Sequence, residues 1–274
     1  MADHYAVIGN PVDHSKSPQI HAAFARQTGE DIVYSALLAP LARFRETVAE
    51  FRAAGGKGLN VTLPFKLEAV HMSDVISERA RRAGAANFLR FDDTGIAADN
   101  TDGAGLVRDL GHNLGIDLGR ARILLIGAGG AALGVALPLL HAAPPDLVMV
   151  NRTAEKALAL AGALVESTGR TRLEAGGLSS VSGRQFDLVI NATSASLVGE
   201  TPALPAEIFA AGSIAYDLMY ADRPTSFMKF ALSAGASRAV DGLGMLVEQA
   251  AESFFLWRGI RPETGAVRNT LRPR

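Results

Sequence analysis

Short apolar runs alternate along the chain with stretches whose apolar residues recur every three or four positions. Residues 5–8 form an apolar run ended by Gly9-Asn10-Pro11, a turn sequence. Ser17-Pro18 reads as a helix start, an N-cap followed by proline, after which Ile20, Ala23 and Phe24 share one face. Residues 32–37 read as a strand. Phe44, Val48 and Phe51 fall at i, i+4 and i+7 on a helix that Gly55-Gly56 stops. Residues 59–63 predict another strand, closed by Pro64. A helix follows Asp102 through Leu106, Val107 and Leu110, and residues 111–119 read as a glycine-rich junction.

From Arg122 the alternation becomes strict. Residues 123–126, 147–150, 186–190 and 214–217 are apolar on both faces, as expected for strands buried in a parallel sheet. Helical patterns separate them, including residues 154–166. This βαβα order implies right-handed crossovers and a doubly wound sheet. Two helices close the chain, at residues 245–257 and after Pro262, and the expectation is that they pack back on the N-terminal part. The fold class is therefore α/β with two domains, 1–102 completed by 241–274, and 103–240.

Composition narrows the function classes. With 274 residues, 48% hydrophobic and 20% charged, the chain is too apolar for disorder and large enough for two modest domains. Its 27 basic and 28 acidic side chains leave a net charge of −1, which argues against a nucleic-acid or membrane-surface binder. The absence of cysteine excludes a disulfide framework, an iron–sulfur cluster and a thiol nucleophile, and suits a cytoplasmic protein. Met1-Ala2-Asp3-His4 is acidic and the apolar run after it is too short for a secretory leader. Residues 123–145 carry no formal charge and match the roughly 20 residues of a membrane span. Their four glycines and Pro138 instead fit a buried strand feeding a helix.

That segment also carries chemistry. Residues 123–126 run into Gly127-Ala128-Gly129-Gly130-Ala131-Ala132, a G-x-G-x-x-A form of the dinucleotide fingerprint. The first glycine makes the tight turn, the second admits a pyrophosphate, and a small third residue lets helix and strand pack. The helix N-terminus presents free N–H groups to the anion. This pattern makes the second domain Rossmann-like. Where an NAD-binding chain usually places a carboxylate on the ribose, this one has Asn151-Arg152-Thr153 with Lys156 on the next helical turn. Thr153 is placed to cap that helix and donate. Arg152 forks onto a phosphate, and two charge-assisted hydrogen bonds at about 1.5–3 kcal/mol each favour NADP over NAD by roughly two to four powers of ten.

Polar clusters sit at the ends of apolar runs in the N-terminal part: Ser15-Lys16-Ser17, Asn60-Val61-Thr62-Leu63-Pro64-Phe65-Lys66, Asn87, and Asp99-Asn100-Thr101-Asp102-Gly103. Strand C-termini are where ligands collect in an α/β fold, and these side chains suit a polyhydroxylated small molecule. Singly, each is equally a cap, a turn or a solvated charge.

Together they resemble the shikimate dehydrogenase family. The matching segments are Gly9-Asn10-Pro11 with His14-Ser15-Lys16-Ser17-Pro18, Gly55-Gly56-Lys57-Gly58 with the Asn60–Lys66 stretch, and Asp99-Asn100-Thr101-Asp102-Gly103. Gly127 to Ala131, Asn151-Arg152-Thr153, Asn191-Ala192-Thr193-Ser194, Tyr216-Asp217-Leu218-Met219-Tyr220 and Asp241-Gly242-Leu243-Gly244-Met245-Leu246 follow in order. The resemblance implies a substrate domain completed by the C-terminal helices, an NADP domain inserted in it, and reversible reduction of 3-dehydroshikimate to shikimate. It implies Lys66 and Asp102 as the catalytic pair, and Ser15, Ser17 and Tyr220 on the substrate carboxylate. Thr62, Asn87 and Gln249 would address ring hydroxyls, with Asn60 in the same crevice. Gly127, Ala128, Gly129, Gly130, Ala131, Asn151, Arg152, Thr153, Lys156 and Thr193 would hold NADP. Leu218, Met219, Gly242 and Met245 would line the nicotinamide pocket, and Glu78 would approach the cofactor.

Two segments depart from the family pattern. Ala85-Ala86-Asn87-Phe88 has a ring where the family usually has threonine, and Ala132-Leu133 stands where Ser-Arg is frequent. The second change shifts more of the NADP preference onto Arg152 and Lys156. The rival readings are an NAD-linked quinate/shikimate dehydrogenase and a non-catalytic NADP-binding regulator. The expected partners are small molecules, with neither nucleic acid nor membrane nor metal, and the chain is expected to act as a monomer or homodimer.

Overall fold

The structure is a computed structural model describing residues 2–272. The chain divides into two compact units. The first comprises the chain through Gly105 together with Val247–Arg272, and the second is Leu106–Leu246. The boundaries fall inside two helices.

In chain order the first unit contains β1 (Asp3–Gly9), α1 (Ser17–Thr28), β2 (Ile32–Leu38), α2 (Phe44–Ala53), β3 (Gly56–Val61), α3 (Lys66–His71), β4 (Val75–Ile76), α4 (Glu78–Ala83), β5 (Phe88–Asp92), β6 (Gly95–Asp99) and the start of α5 (Asp102–Arg108). Its sheet runs β2-β1-β3-β5-β6-β4, parallel except where β5 meets β3 and β6. The β5–β6 hairpin does not announce itself in the sequence. Its turn, Asp92-Asp93-Thr94-Gly95, is set by the Asp92 carboxylate accepting from the Thr94 N–H (3.0 Å) and by Gly95 at φ 137°, a conformation that suits glycine.

The second unit contains β7 (Arg122–Ile126), α6 (Gly130–His141), β8 (Asp146–Asn151), α7 (Ala154–Leu164), β9 (Arg172–Gly177), β10 (Phe186–Asn191), β11 (Phe209–Asp217), α8 (Ser226–Ser233) and β12 (Arg238–Val240), and ends in α9 (Leu243–Arg258). Its sheet is wholly parallel, with order β12-β11-β10-β7-β8-β9. Alternate side chains explain the two-sided apolar runs. Ile123 and Leu125 enter one core with Leu139 and Tyr216, while Leu124 and Ile126 enter another with Phe186 and Phe227. The strand order reverses between β7 and β10, the switch point where such sheets take ligands. Residues 123–145 are β7 and α6, and among the described residues no helix is long and apolar enough to cross a membrane.

Two local expectations are corrected. Lys16, not Ser17, is the N-cap of α1, because the Ile20 N–H already bonds the Lys16 carbonyl (3.1 Å). Ser17 is therefore the first helical residue, with its side chain buried. Nor does the chain break at Gly111. Helix α5 continues into a π-helical turn, Asp109–Asn113, whose buried Asp109 accepts from Asn113 Nδ2 (2.8 Å) and the Tyr216 hydroxyl (2.7 Å). A side-chain partner supplied from β11 outweighs the glycine.

The later part of α9 and helix α10 (Gly265–Leu271) belong to the first unit. Trp257 Nε1 donates to the Leu89 carbonyl (3.1 Å), and a Cβ on Gly58 would lie 2.4 Å from that indole nitrogen. Only glycine lets helix and sheet approach this closely. Next to it, His21 is fully buried, stacked on Tyr34 at 4.1 Å and edge-on to Phe24 at 5.9 Å, and among the described residues neither ring nitrogen has a partner at hydrogen-bond geometry. Burial holds its pKa down at about 3, only partly opposed by the Asn60 side chain.

The sign of the consequence is fixed. The unfolded imidazole takes a proton below about pH 6.5 and the folded one does not until about pH 3. Stability is thus complete above pH 6.5 and falls by roughly 1.4 kcal/mol per pH unit below it. His21→Gln should lose about 3 kcal/mol less than the parent between pH 7 and pH 4, read from urea midpoints by the fluorescence of the single tryptophan. Equal losses would mean that His21 titrates normally.

Candidate active site

In the first unit the polar clusters converge. Lys66 opens α3 and Asp102 opens α5, and Lys66 Nζ donates to Asp102 Oδ2 at 2.6 Å, with the two side chains 20% and 10% exposed. The other carboxylate oxygen accepts from Asn87 Nδ2 at 2.7 Å. Asn87 is buried just before β5, and its amide also reaches Thr101 Oγ1 (2.9 Å) and Gln249 Oε1 (3.2 Å), while its oxygen accepts from the Thr101 N–H (2.7 Å). The Ala86 N–H bonds the Lys66 carbonyl (2.9 Å), tying the loop before Asn87 to α3. An ion pair this far from water needs such hydrogen bonds to offset its desolvation.

The remaining substrate candidates have different surroundings. Ser15 Oγ accepts from the Ser17 N–H at 3.3 Å, placing both residues at the start of α1. Thr62 follows β3, its methyl where a Cβ on Gly9 would sit, 2.4 Å away. Asn60 is fully engaged inside the unit. Its oxygen accepts from the Tyr34 hydroxyl (2.8 Å), and its amide donates to the Asn87 carbonyl (3.1 Å) and to Ser253 Oγ (2.9 Å). Asn60 therefore holds Asn87 and Ser253 in place. Tyr220 is half-buried in the second unit, and burial raises its phenol pKa. Glu78 is exposed in the first unit, and the hydrogen bond from Arg82 Nε (2.8 Å), followed by that guanidinium's charge, lowers its carboxyl pKa.

Three residues outside the candidate set complete the network. Thr101 donates to Gln249 Oε1 (3.2 Å), lies 3.2 Å from Ser253 Oγ, and neighbours Asp102. Ser253 follows Gln249 by four on α9, and that i, i+4 spacing is the signal that both face one way. Tyr34 lies on β2, and no local pattern identifies it.

In the second unit the strand C-termini carry the cofactor candidates. Gly127 has φ 114°, and a Cβ there would approach the Ala192 carbonyl oxygen at 3.0 Å and Thr193 Cγ2 at 3.3 Å. Ala128 is half-buried, and Gly129, Gly130 and Ala131 are exposed at the N-terminus of the 12-residue α6, which no side chain caps. A Cβ on Gly129 or Gly130 would meet nothing within 4 Å. Open backbone donors at a helix N-terminus fit a pyrophosphate. After β8, Asn151 Nδ2 donates to the Thr153 carbonyl (2.9 Å) and shapes the turn. Thr153 occupies the N-cap of α7, but its side chain makes no cap hydrogen bond, correcting the expected cap. Its hydroxyl, Arg152 and Lys156 are exposed, and none has a side-chain partner among the described residues. That donor set fits an additional phosphate.

Asp217 organises the same edge of the sheet at β10 and β11. Fully buried at the end of β11, its carboxylate accepts from Asn191 Nδ2 (3.1 Å), the Met219 N–H (3.1 Å), Ser196 Oγ (2.7 Å) and Thr225 Oγ1 (2.6 Å). Burial still leaves its pKa raised. Asn191 in turn takes the Thr193 hydroxyl at 2.7 Å. The Gly242 N–H bonds the Met219 carbonyl (2.9 Å), and a Cβ on Gly242 would lie 2.2 Å from the Leu218 oxygen. The Met245 N–H reaches the Tyr216 hydroxyl (3.3 Å). Leu218, Met219, Gly242 and Met245 are thereby brought together.

Comparison with known proteins places this geometry in context. Residues 7–89 match the shikimate dehydrogenase substrate binding domain, residues 109–202 match shikimate/quinate 5-dehydrogenase, and residues 242–272 match the shikimate 5′-dehydrogenase C-terminal domain. A shikimate dehydrogenase (NADP(+)) from Nitrosospira multiformis is 60% identical, covering 99% of this chain and 98% of its own length. The crystal structure of an Ael1 enzyme from Pseudomonas putida superposes with TM-score 0.94 at 48% identity, covering 100% of this chain and 99% of that one. The shikimate 5-dehydrogenase of Thermus thermophilus, solved with NADP(H) and shikimate, gives TM-score 0.84 at 34% identity over 97% of each chain.

The two exposed cations, Arg152 and Lys156, generate a measurable expectation. Arg152→Ala combined with Lys156→Ala should lower kcat/KM for NADP+ by about 10² or more, and leave that for NAD+ nearly unchanged. Parallel losses with both cofactors in initial-rate assays would remove these residues from phosphate recognition.

Proposed function

The chain belongs to the shikimate dehydrogenase family, and from that premise we propose what each residue contributes to the reaction. The activity is the NADP-dependent interconversion of 3-dehydroshikimate and shikimate, a step towards chorismate and the aromatic amino acids. The observation supporting the residue assignment is the Lys66–Asp102 contact at 2.6 Å, with Asn87 on the second carboxylate oxygen.

Oxidising a secondary alcohol requires that the hydroxyl proton be held as hydride leaves the same carbon. NADP, when bound, supplies the nicotinamide that accepts or returns the hydride. In the oxidative direction the neutral Lys66 amine takes the proton from the substrate 3-hydroxyl and becomes the ammonium that pairs with Asp102; in the reductive direction that ammonium donates the proton to the carbonyl oxygen. Asp102, oriented by Asn87, fixes where Nζ sits and holds the hydroxyl from its other side. Thr62, Asn87 and Gln249 bind the ring hydroxyls, and Ser15 and Ser17 donate to the carboxylate. Asn60 acts one step back, by positioning Asn87.

Gly127, Ala128, Gly129, Gly130 and Ala131 hold the pyrophosphate, and Asn151, Arg152, Thr153 and Lys156 hold the phosphorylated ribose. Thr193, beside the Gly127 turn, also contacts the cofactor, and Leu218, Met219, Gly242 and Met245 enclose the nicotinamide. A regulator that merely sensed NADP would have no use for a desolvated Lys–Asp pair, which costs free energy to bury. NADP linkage and the biosynthetic role support a cytoplasmic location, with the chain acting as a monomer or homodimer.

Lys66→Ala should lower kcat by at least about 10² with little change in KM for shikimate. An unchanged kcat would take Lys66 out of the chemistry. Initial rates with shikimate or quinate, each with NADP+ or NAD+, test the reaction itself. Turnover should be greatest with shikimate and NADP+, whereas turnover confined to quinate with NAD+ would reverse the assignment.

A further inference from the structure

Arg79 sits beside Glu78 in the Ser77-Glu78-Arg79-Ala80 segment and is absent from the roles assigned above. Its guanidinium forks onto Asp99, Nε to Oδ1 at 2.6 Å and Nη2 to Oδ2 at 2.9 Å. From the same position Nη1 and Nη2 both reach Glu252 Oε1 at 3.1 Å. Asp99 ends β6 and begins the loop that leads to Asp102. Its Oδ1 also accepts from Ser77 Oγ (2.5 Å) and the Asn100 N–H (2.7 Å). Asn100 passes the constraint on, because its oxygen accepts from the Asp102 N–H (3.1 Å) while its amide holds the Ala85 carbonyl (2.8 Å). Glu252 lies on α9, three residues after Gln249 and next to Ser253.

We propose that Arg79 is a positioning residue of the substrate site, holding the loop that bears Asp102 in register with the helix that bears Gln249. The inference rests on the roles given above to Lys66 and Asp102. Two features single out Arg79. One planar cation bridges two carboxylates with side chains only 15% and 14% exposed, one on each element. Glu252 keeps a second cation, Arg261, on its other oxygen, but Asp99 has no such substitute among the described residues, so without Arg79 the Asp99 carboxylate loses its counter-charge and the loop loses its tie to the helix. Both elements also end on the Asn87 carboxamide, through Asp102 and Thr101 on one side and Gln249 on the other. A change in their register therefore appears at the Lys66–Asp102 pair. Arg258 serves as an internal control. It is also on α9 and binds two carboxylates, Asp3 and Glu30, but has no hydrogen bond to the Asn87 network among the described residues.

The test compares the parent chain, Arg79→Ala, Arg79→Lys and Arg258→Ala. Each is assayed for kcat and KM with shikimate and NADP+ and for its urea midpoint, with and without guanidinium ion at a non-denaturing concentration. Arg79→Ala should lower kcat by about 10², the cost of misplacing catalytic groups by roughly 1 Å, with KM for NADP+ unchanged. Arg79 is partly exposed, so added guanidinium ion should restore much of that loss without raising the urea midpoint. Arg79→Lys keeps the charge but not the fork, and should fall between parent and alanine variant; it carries the test if the alanine variant does not fold. Arg258→Ala should lower the midpoint and keep the parent kcat. A parent-like kcat in both Arg79 variants would overturn the proposal. So would a loss that guanidinium leaves unrestored and Arg258→Ala reproduces. A parent chain inactive on shikimate would instead overturn the functional assignment on which the proposal rests.

Discussion

A buried carboxamide must place two N–H groups and a carbonyl oxygen on partners, or forfeit about 1–3 kcal/mol for each group left without one. Asn87 meets that demand with groups from two separate stretches of chain. Thr101 and Asp102 come from the loop after β6, and Gln249 comes from α9, more than 160 positions away. Satisfying one side chain therefore sets the relative positions of a loop, a strand and a distant helix. Asn60 adds a second layer by donating to the Asn87 backbone and to Ser253, so the site cannot shift one member alone. In a low-dielectric interior such a network rigidifies when complete and destabilises when broken.

The second unit applies the opposite logic at one end of its sheet. Asp217 is fully buried and accepts four hydrogen bonds, which pins the ends of β10 and β11 and the start of α8. At the ends of β7 and β8 the polar groups are left open. The N-terminus of α6 has no side-chain cap, and Thr153 occupies an N-cap without using its hydroxyl. Unmet donors are tolerable there because water reaches them. Those donors gain a ligand without first breaking an internal bond, whereas the Asp217 side supplies a fixed wall.

Much of this was legible in the sequence because parallel strands buried on both faces have to be apolar throughout, and their ends have to turn. The strands from β7 to β11 that carry cofactor candidates, the Gly127 turn and the Lys66 and Asp102 clusters all follow from such constraints. The short β4 and β12 did not stand out, since two or three residues carry no periodicity. The β5–β6 hairpin was obscured because Arg90 and Asp92 face outward and interrupt its apolar run. Tyr34 and Ser253 escaped notice for another reason. Their roles depend on which distant residue lies opposite, and local pattern has no access to that. Ser17 and Thr153 show the reverse error, where a residue suited to capping occupies a helix start and does not cap.

Alternation along a strand also decides what the departure at Phe88 means. Asn87 and Phe88 are adjacent, and successive side chains at a strand point to opposite faces of the sheet. Asn87 turns to Asp102, while Phe88 is buried against Trp257 with ring centroids 5.0 Å apart. The ring that replaces the usual threonine thus adds to the packing of α9 on the sheet rather than filling space beside the Lys66–Asp102 pair. Trp257 already closes on Gly58 and donates to the Leu89 carbonyl, so Phe88 completes an aromatic contact that helps keep Gln249 and Ser253 in place. What looks in the sequence like a change to the substrate site acts in the fold as support for the helix that builds it.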